Sequence, residues 1–334
     1  MGITYLVTGG TGHLGNTIIK MLAAKNCRIR ALVMEDDPNI GIIKDLAEIF
    51  YGDIRIGSTL ESFFDCPSTD DIYVIHCADI IPQSSRFDQD VWDTNVVGTK
   101  NIINYCKTFH VKRMVFVSSV RAIPDPPNGG TAREIRDFDT KSVKGMYAKT
   151  KSAASMIVMD ACQEGLNASI VHPSALLGPG DYGRGPLAEL ITSYVHGKLP
   201  AGFKGGYDFV DVRDVAAGTL SCLEKGRQGE CYILSNRYYS LKELFGIIHD
   251  ISGVREVYLT IPSWMVRLSQ PAVKLSSFIT RTKPLYSDYS LAILNSHSVF
   301  SHAKATEELD YHPREMHETL LDMVAFIRAN EISH

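Results

Sequence analysis

Apolar positions in the first half of the chain alternate between two rhythms. Short runs of β-branched and aliphatic residues at 5–8, 28–34, 49–51, 73–76, 113–117 and 168–172 read as buried strands. Residues 15–25, 93–108 and 144–165 carry the wider spacing of helices with one apolar face. Strands alternating with helices predict βαβ units, hence an α/β fold: a doubly wound parallel sheet with helices on both faces. The rhythm breaks after Gly178. Residues 179–207 are rich in Gly and Pro around one helical stretch at 187–196, whereas 209–212 and 231–234 read as strands returning to the sheet. The reading is a core over 1–178, rejoined by 208–236, with a smaller α+β lobe from 179–207 and 237–334.

The first strand runs into Val7-Thr8-Gly9-Gly10-Thr11-Gly12-His13-Leu14-Gly15. Gly9, Gly12 and Gly15 let the backbone turn sharply, approach a pyrophosphate closely and pack the helix against the sheet. The helix start then offers free N–H groups and the positive end of its dipole to the phosphates. This is the fingerprint of a Rossmann dinucleotide site, and its place between an apolar strand and an amphipathic helix argues against a ligand-free glycine turn. The second strand ends in Leu32-Val33-Met34-Glu35-Asp36-Asp37, beside the expected adenosine ribose. A 2′-phosphate there would meet acids and no Arg, so NAD(H) is favoured over NADP(H). Arg28 and Arg30 are the cations on that strand that could overturn this.

Gly145-Met146-Tyr147-Ala148-Lys149-Thr150-Lys151 opens a helix, so Tyr147 and Lys151 share one face. A phenol with an ordinary pKa near 10 is a poor acid or base at neutral pH. A neighbouring ammonium stabilises the phenolate and brings it towards the working range. Ser119 follows the strand Val115-Phe116-Val117-Ser118 and so sits at a carboxyl strand end, where its hydroxyl could hold a substrate oxygen against Tyr147.

Composition narrows the class further. A net charge of −4 gives no reason to expect a nucleic-acid surface. No basic segment and long apolar run suggest a secretory leader, and no uncharged run reaches spanning length. The nearest, 257–280, is interrupted by Pro262, Arg267, Pro271 and Lys274. The seven cysteines are scattered, with no metal or disulfide spacing, which fits reduced thiols in the cytoplasm and no metal.

The chain resembles the extended short-chain dehydrogenase/reductases over nearly its whole length. The residues that carry the likeness begin with the glycine turn and continue through Gly52-Asp53-Ile54, Val74-Ile75-His76-Cys77-Ala78 and Asn95-Val96-Val97-Gly98-Thr99-Lys100-Asn101. Phe116-Val117-Ser118-Ser119, Tyr147 to Lys151 and Phe209-Val210-Asp211-Val212-Arg213-Asp214-Val215-Ala216 complete them. The resemblance implies that Ser119, Tyr147 and Lys151 are catalytic, that Asp53 and Ile54 flank the adenine, and that Cys77 and Ala78 lie along the cofactor. It implies further cofactor contacts from Gly9, Thr11, Gly12, His13, Leu14, Met34, Asn95, Val117, Tyr147, Lys151, His172, Pro173 and Ser174. Substrate contacts would come from Asp79, Ile80, Ser119, Val120, Arg121, Tyr147, Ala175 and Tyr207.

Within the family, Ala175 stands where sugar-nucleotide epimerases and dehydratases usually carry an Asn, and Tyr207-Asp208 where they tend to carry Arg-Asp. The apolar Pro173 and Gly178-Pro179-Gly180 stretch resembles the dihydroflavonol 4-reductase and 3β-hydroxysteroid dehydrogenase branch, as does the tail from Ile261-Pro262-Ser263-Trp264 through Pro284-Leu285-Tyr286 to Ala303-Lys304. The expected reaction is therefore ketone/alcohol interconversion on a fairly apolar molecule. A sugar-nucleotide epimerase and a non-catalytic dinucleotide sensor are the alternatives. The likeness also implies a homodimer through the helices at 93–108 and 144–165, using Val96, Ile102, Ile103, Ala153, Ala154 and Ile157.

Overall fold

The computed structural model describes residues 2–82, 86–126, 129–183, 185–199, 202–203, 205–255, 260–261 and 299–331. Its strands are β1 Gly2–Thr8, β2 Arg28–Val33, β3 Glu48–Tyr51, β4 Asp70–His76, β5 Arg113–Val117, β6 Thr131–Ala132 and β7 Ala168–Pro173. They continue with β8 Ala175–Leu177, β9 Gly202–Phe203, β10 Gly206–Asp211, β11 Cys231–Leu234, β12 Arg237–Ser240, β13 Thr260–Ile261 and β14 Val299–Phe300. The α-helices are α1 His13–Ala24, α2 Glu61–Phe64, α3 Gln89–Trp92, α4 Thr99–Thr108 and α5 Met146–Gln163. Then come α6 Pro186–Val195, α7 Val212–Lys225, α8 Leu241–Ser252, α9 Ala303–Leu309 and α10 Met316–Glu331.

Seven strands form one sheet in the order β3-β2-β1-β4-β5-β7-β11, and every pairing in it is parallel. Both faces are covered, which is why the inner strands read as continuous apolar runs rather than alternating ones. Val7, Ile75, Val115 and Val171 pack with α1 and α7 on one face. Leu6, Val74, Met114, Phe116 and Ile170 pack on the other with residues of α4 and α5. A third core joins α6, α8 and α10 to β10 and β12 and forms the lobe over the carboxyl end of the sheet.

Two expectations need correction. Residues 209–212 do not rejoin the main sheet. β10 pairs with β8 in parallel and with β12 antiparallel in a separate three-stranded sheet, and Val212 already begins α7. β7 keeps its partner β11 as far as Pro173 opposite Leu234, after which the chain turns at Ser174 and β8 takes β10 instead. The helix at 93–108 is also not one regular helix. Asp88 caps α3 by accepting from the N–H groups of Asp90 and Val91, and a wide π-type turn over Asp93–Gly98 leads into α4. Gly98 sits in that turn because an added Cβ would lie 2.6 Å from the Ile54 side chain.

The apolar residues expected to form a dimer are spent within the protomer. Val96, Ile102, Ile103, Ala153 and Ala154 are buried, and Ile157 packs on the same core. The apolar segment at 257–280 lies outside the described residues apart from Thr260–Ile261, and so does Pro284-Leu285-Tyr286. Among the described residues, no helix is long and apolar enough to cross a membrane.

Candidate active site

At β1 the strand order reverses, with β2 and β3 on one side and β4 and β5 on the other, so a crevice opens beyond the carboxyl ends of β1 and β4. Gly9 has φ +67°, and a Cβ there would lie 2.8 Å from the Ala78 backbone. A Cβ on Gly15 would lie 2.1 Å from the Gly9 carbonyl oxygen. Gly12 caps α1 without a side-chain bond, so the first N–H groups of the helix are left for a ligand. This is a cradle that no side chain fills, and it fits the pyrophosphate of a dinucleotide.

A cavity of about 340 Å³ extends from the cradle to the lobe. It gathers many of the residues that the sequence singled out: Gly9, Gly12, His13, Leu14, Cys77, Asp79, Val117, Ser119, Val120, Arg121, Tyr147, Pro173, Ser174, Ala175 and Tyr207. It also takes Gly15 of the glycine turn, and Ile81, Ser118, Leu176, Asp181, Gly185, Leu187 and Ala188, which the sequence had not marked as site residues. The apolar face of α6 was the available signal for Leu187 and Ala188. Ile80 does not line the cavity. Its N–H and carbonyl are both held by the Asn95 amide, at 2.8 and 3.0 Å, and Ile81 faces inward instead. Asn95 is thus a clamp on the loop after β4, braced by Thr150 Oγ1 at 3.0 Å.

Gly145, at φ +92°, precedes α5, and the first turns of that helix bring Tyr147 and Lys151 to the cavity end of β5. Lys151 is 2% exposed. Its Nζ donates to the Val117 carbonyl at 2.8 Å, lies 3.0 Å from Asp79 Oδ2, and stands 5.1 Å from the centre of the Phe116 ring. Tyr147 Oη donates to the same Asp79 Oδ2 at 2.8 Å. One carboxylate therefore engages both residues of the Tyr/Lys pair, an arrangement the sequence reading missed. Ser119 caps a short 3-10 turn, its Oγ accepting from the Arg121 N–H at 3.2 Å.

Behind these groups two buried histidines, a thiol and a second phenol are held neutral by burial. Burial drives the His76 imidazole down to about 3, with Lys151 adding to the effect and Asp79 opposing it. Its nitrogens meet the hydroxyls of Thr8 at 2.7 Å and Thr99 at 3.1 Å. His172 is pushed down to about 4 by burial; its Nδ1 bonds the Ser119 carbonyl at 3.0 Å, its ring stacks on Phe138, and it does not line the cavity. Burial pushes the Cys77 thiol up to about 12, and Tyr207 likewise, with Arg121 pulling Tyr207 the other way. The Tyr207 hydroxyl is buried without a good hydrogen bond, and Arg121 forms no ion pair among the described residues. All seven cysteines are free, and the described residues hold no metal-ligating cluster.

The adenosine end lies outside the cavity. Met34 is exposed at the end of β2, next to the exposed Glu35 and Asp36. Asp37 folds back onto the glycine turn and accepts from Thr11 Oγ1 at 2.5 Å. Arg28 is held by Asp70 at 2.7 Å, and Arg30 by Glu48 at 3.2 Å and the Asp65 carbonyl at 2.8 Å, so neither reaches the ribose end of the strand. The Asp53 carboxylate is occupied by Arg55 at 2.7 Å, while Ile54 is buried against Gly98.

Comparison with known proteins agrees with this geometry. Residues 5–235 match the model of the NAD dependent epimerase/dehydratase family. The chain is 28% identical to Sterol demethylase protein B of Methylococcus capsulatus, covering 98% of each protein. It is 28% identical to a putative dihydroflavonol 4-reductase of Synechocystis, over 79% of this chain and 77% of that one. Its fold superposes on the UDP-glucose 4-epimerase of Thermotoga maritima with a TM-score of 0.78 at 19% identity, covering 98% of this chain and 100% of the other. With its glycine cradle, seven-stranded parallel sheet and cavity at the strand-order reversal, the chain belongs to the NAD dependent epimerase/dehydratase family and is an NAD(P)-dependent enzyme of the extended short-chain dehydrogenase/reductase type.

Proposed function

We propose that this enzyme interconverts a ketone or aldehyde and the corresponding alcohol on a fairly apolar ring compound, sterol-, flavonoid- or aromatic-ketone-like. The observation that carries this reading is the wall of the cavity beside Ser119 and Tyr147. Ile81, Val120, Ala175, Leu176, Leu187 and Ala188 form much of it, and Arg121 is the one Lys or Arg among its described residues. A sugar nucleotide carries two phosphates and many hydroxyls, and such a wall would leave most of them without partners. The names of the sterol and dihydroflavonol relatives point the same way.

The nicotinamide cofactor, when bound in the cradle, supplies or accepts the hydride. Tyr147 Oη donates the proton to the carbonyl oxygen on reduction and takes it back on oxidation. Ser119 Oγ holds that oxygen in line with the phenol. Lys151, fixed by the Val117 carbonyl, keeps a positive charge beside the phenol. The neutral buried His76 and His172 add no competing charge. NADH is the preferred reductant on this reading, because Met34 and its acidic neighbours offer a 2′-phosphate no cation. The test is a screen of sterols, flavonoids, aromatic ketones and UDP-sugars, following NADH and NADPH absorbance. Turnover of an apolar ketone with net cofactor oxidation is the expected result. Epimerisation of a UDP-sugar by protein that retains its NAD, with no net redox turnover, would replace this reading with a sugar-nucleotide one.

A further inference from the structure

We infer that Asp79 is a positioning residue that holds Tyr147 in its protonated, proton-donating form and so biases this centre towards carbonyl reduction. The inference rests on Tyr147 being the acid/base group. The Asp79 carboxylate sits between the two residues that decide the phenol's charge, accepting from Tyr147 Oη at 2.8 Å and lying 3.0 Å from Lys151 Nζ.

Each contact acts in the same direction. A carboxylate that accepts the phenolic proton stabilises the phenol, and it repels the phenolate. Its ion pair with Lys151 also offsets the positive charge that would otherwise favour the phenolate. Both effects are strengthened by burial of the ammonium, which has little water to screen it.

The other titratable groups near the pair are silent over the working range. His76, at the end of β4, and His172, on β7, are held neutral by burial. The Cys77 thiol, beside His76, stays protonated. Arg121 and Asp181 line the same cavity, but Asp79 bonds the phenol directly and pairs with Lys151, so removal of Asp79 leaves the ammonium beside the phenol without this counter-ion. Asp79 keeps about a quarter of its side-chain surface exposed, so exchange at this position leaves the buried framework of the sheet in place.

The proton balance sets the direction of the bias. On reduction the carbonyl carbon gains a hydride from the reduced cofactor, and the oxygen gains the Tyr147 proton, which solvent then replaces. Oxidation needs the phenolate at the start. A residue that keeps the phenol protonated extends reduction to higher pH and holds oxidation back at neutral pH.

The experiment is NMR titration of ring-labelled tyrosine in the NAD+-loaded protein, comparing wild type, D79N and D79S, with Y147F used to assign the resonance. It needs no substrate, so it is independent of the substrate reading. The phenol midpoint is expected to fall by about one pH unit or more in both variants. With an apolar ketone/alcohol pair from the screen, the alkaline limit of reduction should fall by the same amount, and oxidation at neutral pH should rise up to about tenfold. A midpoint that stays in place or rises in both variants overturns the inference, even if turnover falls. Loss of Tyr147 as the acid/base group would be revealed separately, by undiminished turnover in Y147F.

Discussion

Acid should destabilise this protein from about pH 6.5 downwards, through the two buried histidines behind the site. In the unfolded chain each imidazole titrates near 6.5; folded, His76 titrates near 3 and His172 near 4. Their folded values are depressed, so the unfolded state binds more protons below about pH 6.5 and stability falls with falling pH. Each costs about 1.4 kcal/mol per pH unit once the unfolded imidazole is fully protonated and half that at its midpoint, so the pair costs about 3 kcal/mol between about pH 6.5 and 5. Asp208 works against them. Burial raises its carboxyl to about 6 from 3.8, so the folded state takes up a proton there first and recovers about 1 kcal/mol between about pH 6 and 5. The net loss is about 2 kcal/mol, a substantial part of the 5–15 kcal/mol typical of a folded protein. His13 and His302, both lowered by burial, add to the loss. The assay is urea unfolding of wild type and H76Q at each pH. H76Q can keep a bond to Thr8 or Thr99 and should be less stable at neutral pH, but its loss on acidification should shrink by about half of the pair's cost. An equal loss in both proteins would refute the neutral, buried state assigned to His76.

Three further substitutions probe the site. K151M removes the ammonium that Val117 and Asp79 hold, and should lower turnover at least about 100-fold while weakening NADH binding measured by fluorescence titration; unchanged affinity would deny Lys151 a role in holding the cofactor. M34R should move preference towards NADPH by roughly 1–3 kcal/mol through one new charge-assisted contact, read from paired NADH and NADPH titrations. Tighter NADPH binding by the wild type would reveal a cation that this account lacks. G15A places a Cβ 2.1 Å from the Gly9 carbonyl oxygen and should abolish dinucleotide binding or lower the melting temperature by several degrees; a variant indistinguishable in both would contradict the tight turn.

Much of the core was legible in the sequence because its signals are local. A strand buried on both faces is a short apolar run wherever it lies, and β5 was placed to the residue at Arg113–Val117. The glycine turn and the Tyr147/Lys151 spacing are likewise fixed within a few residues. What escaped depends on contacts distant along the chain. The apolar run at 209–212 announces a buried strand but not which sheet receives it, and only the turn at Ser174 sends β8 to β10. Asp79 could be placed after β4, yet nothing local says that its carboxylate meets a phenol and an ammonium on α5. The positions expected at a dimer seam carry the same ambiguity: apolar positions on a helix do not state which neighbour they cover, and here Ile102, Ile103 and Ala154 lie in the protomer's own core.

The central claim is that Tyr147 exchanges the proton in a redox reaction on an apolar carbonyl compound. Y147F tests it most directly, because it removes one oxygen and leaves the ring against Lys151. With the best ketone from the screen, turnover should fall at least about 100-fold while the dissociation constant for NADH stays within about twofold of wild type. Wild-type turnover in Y147F would contradict the account.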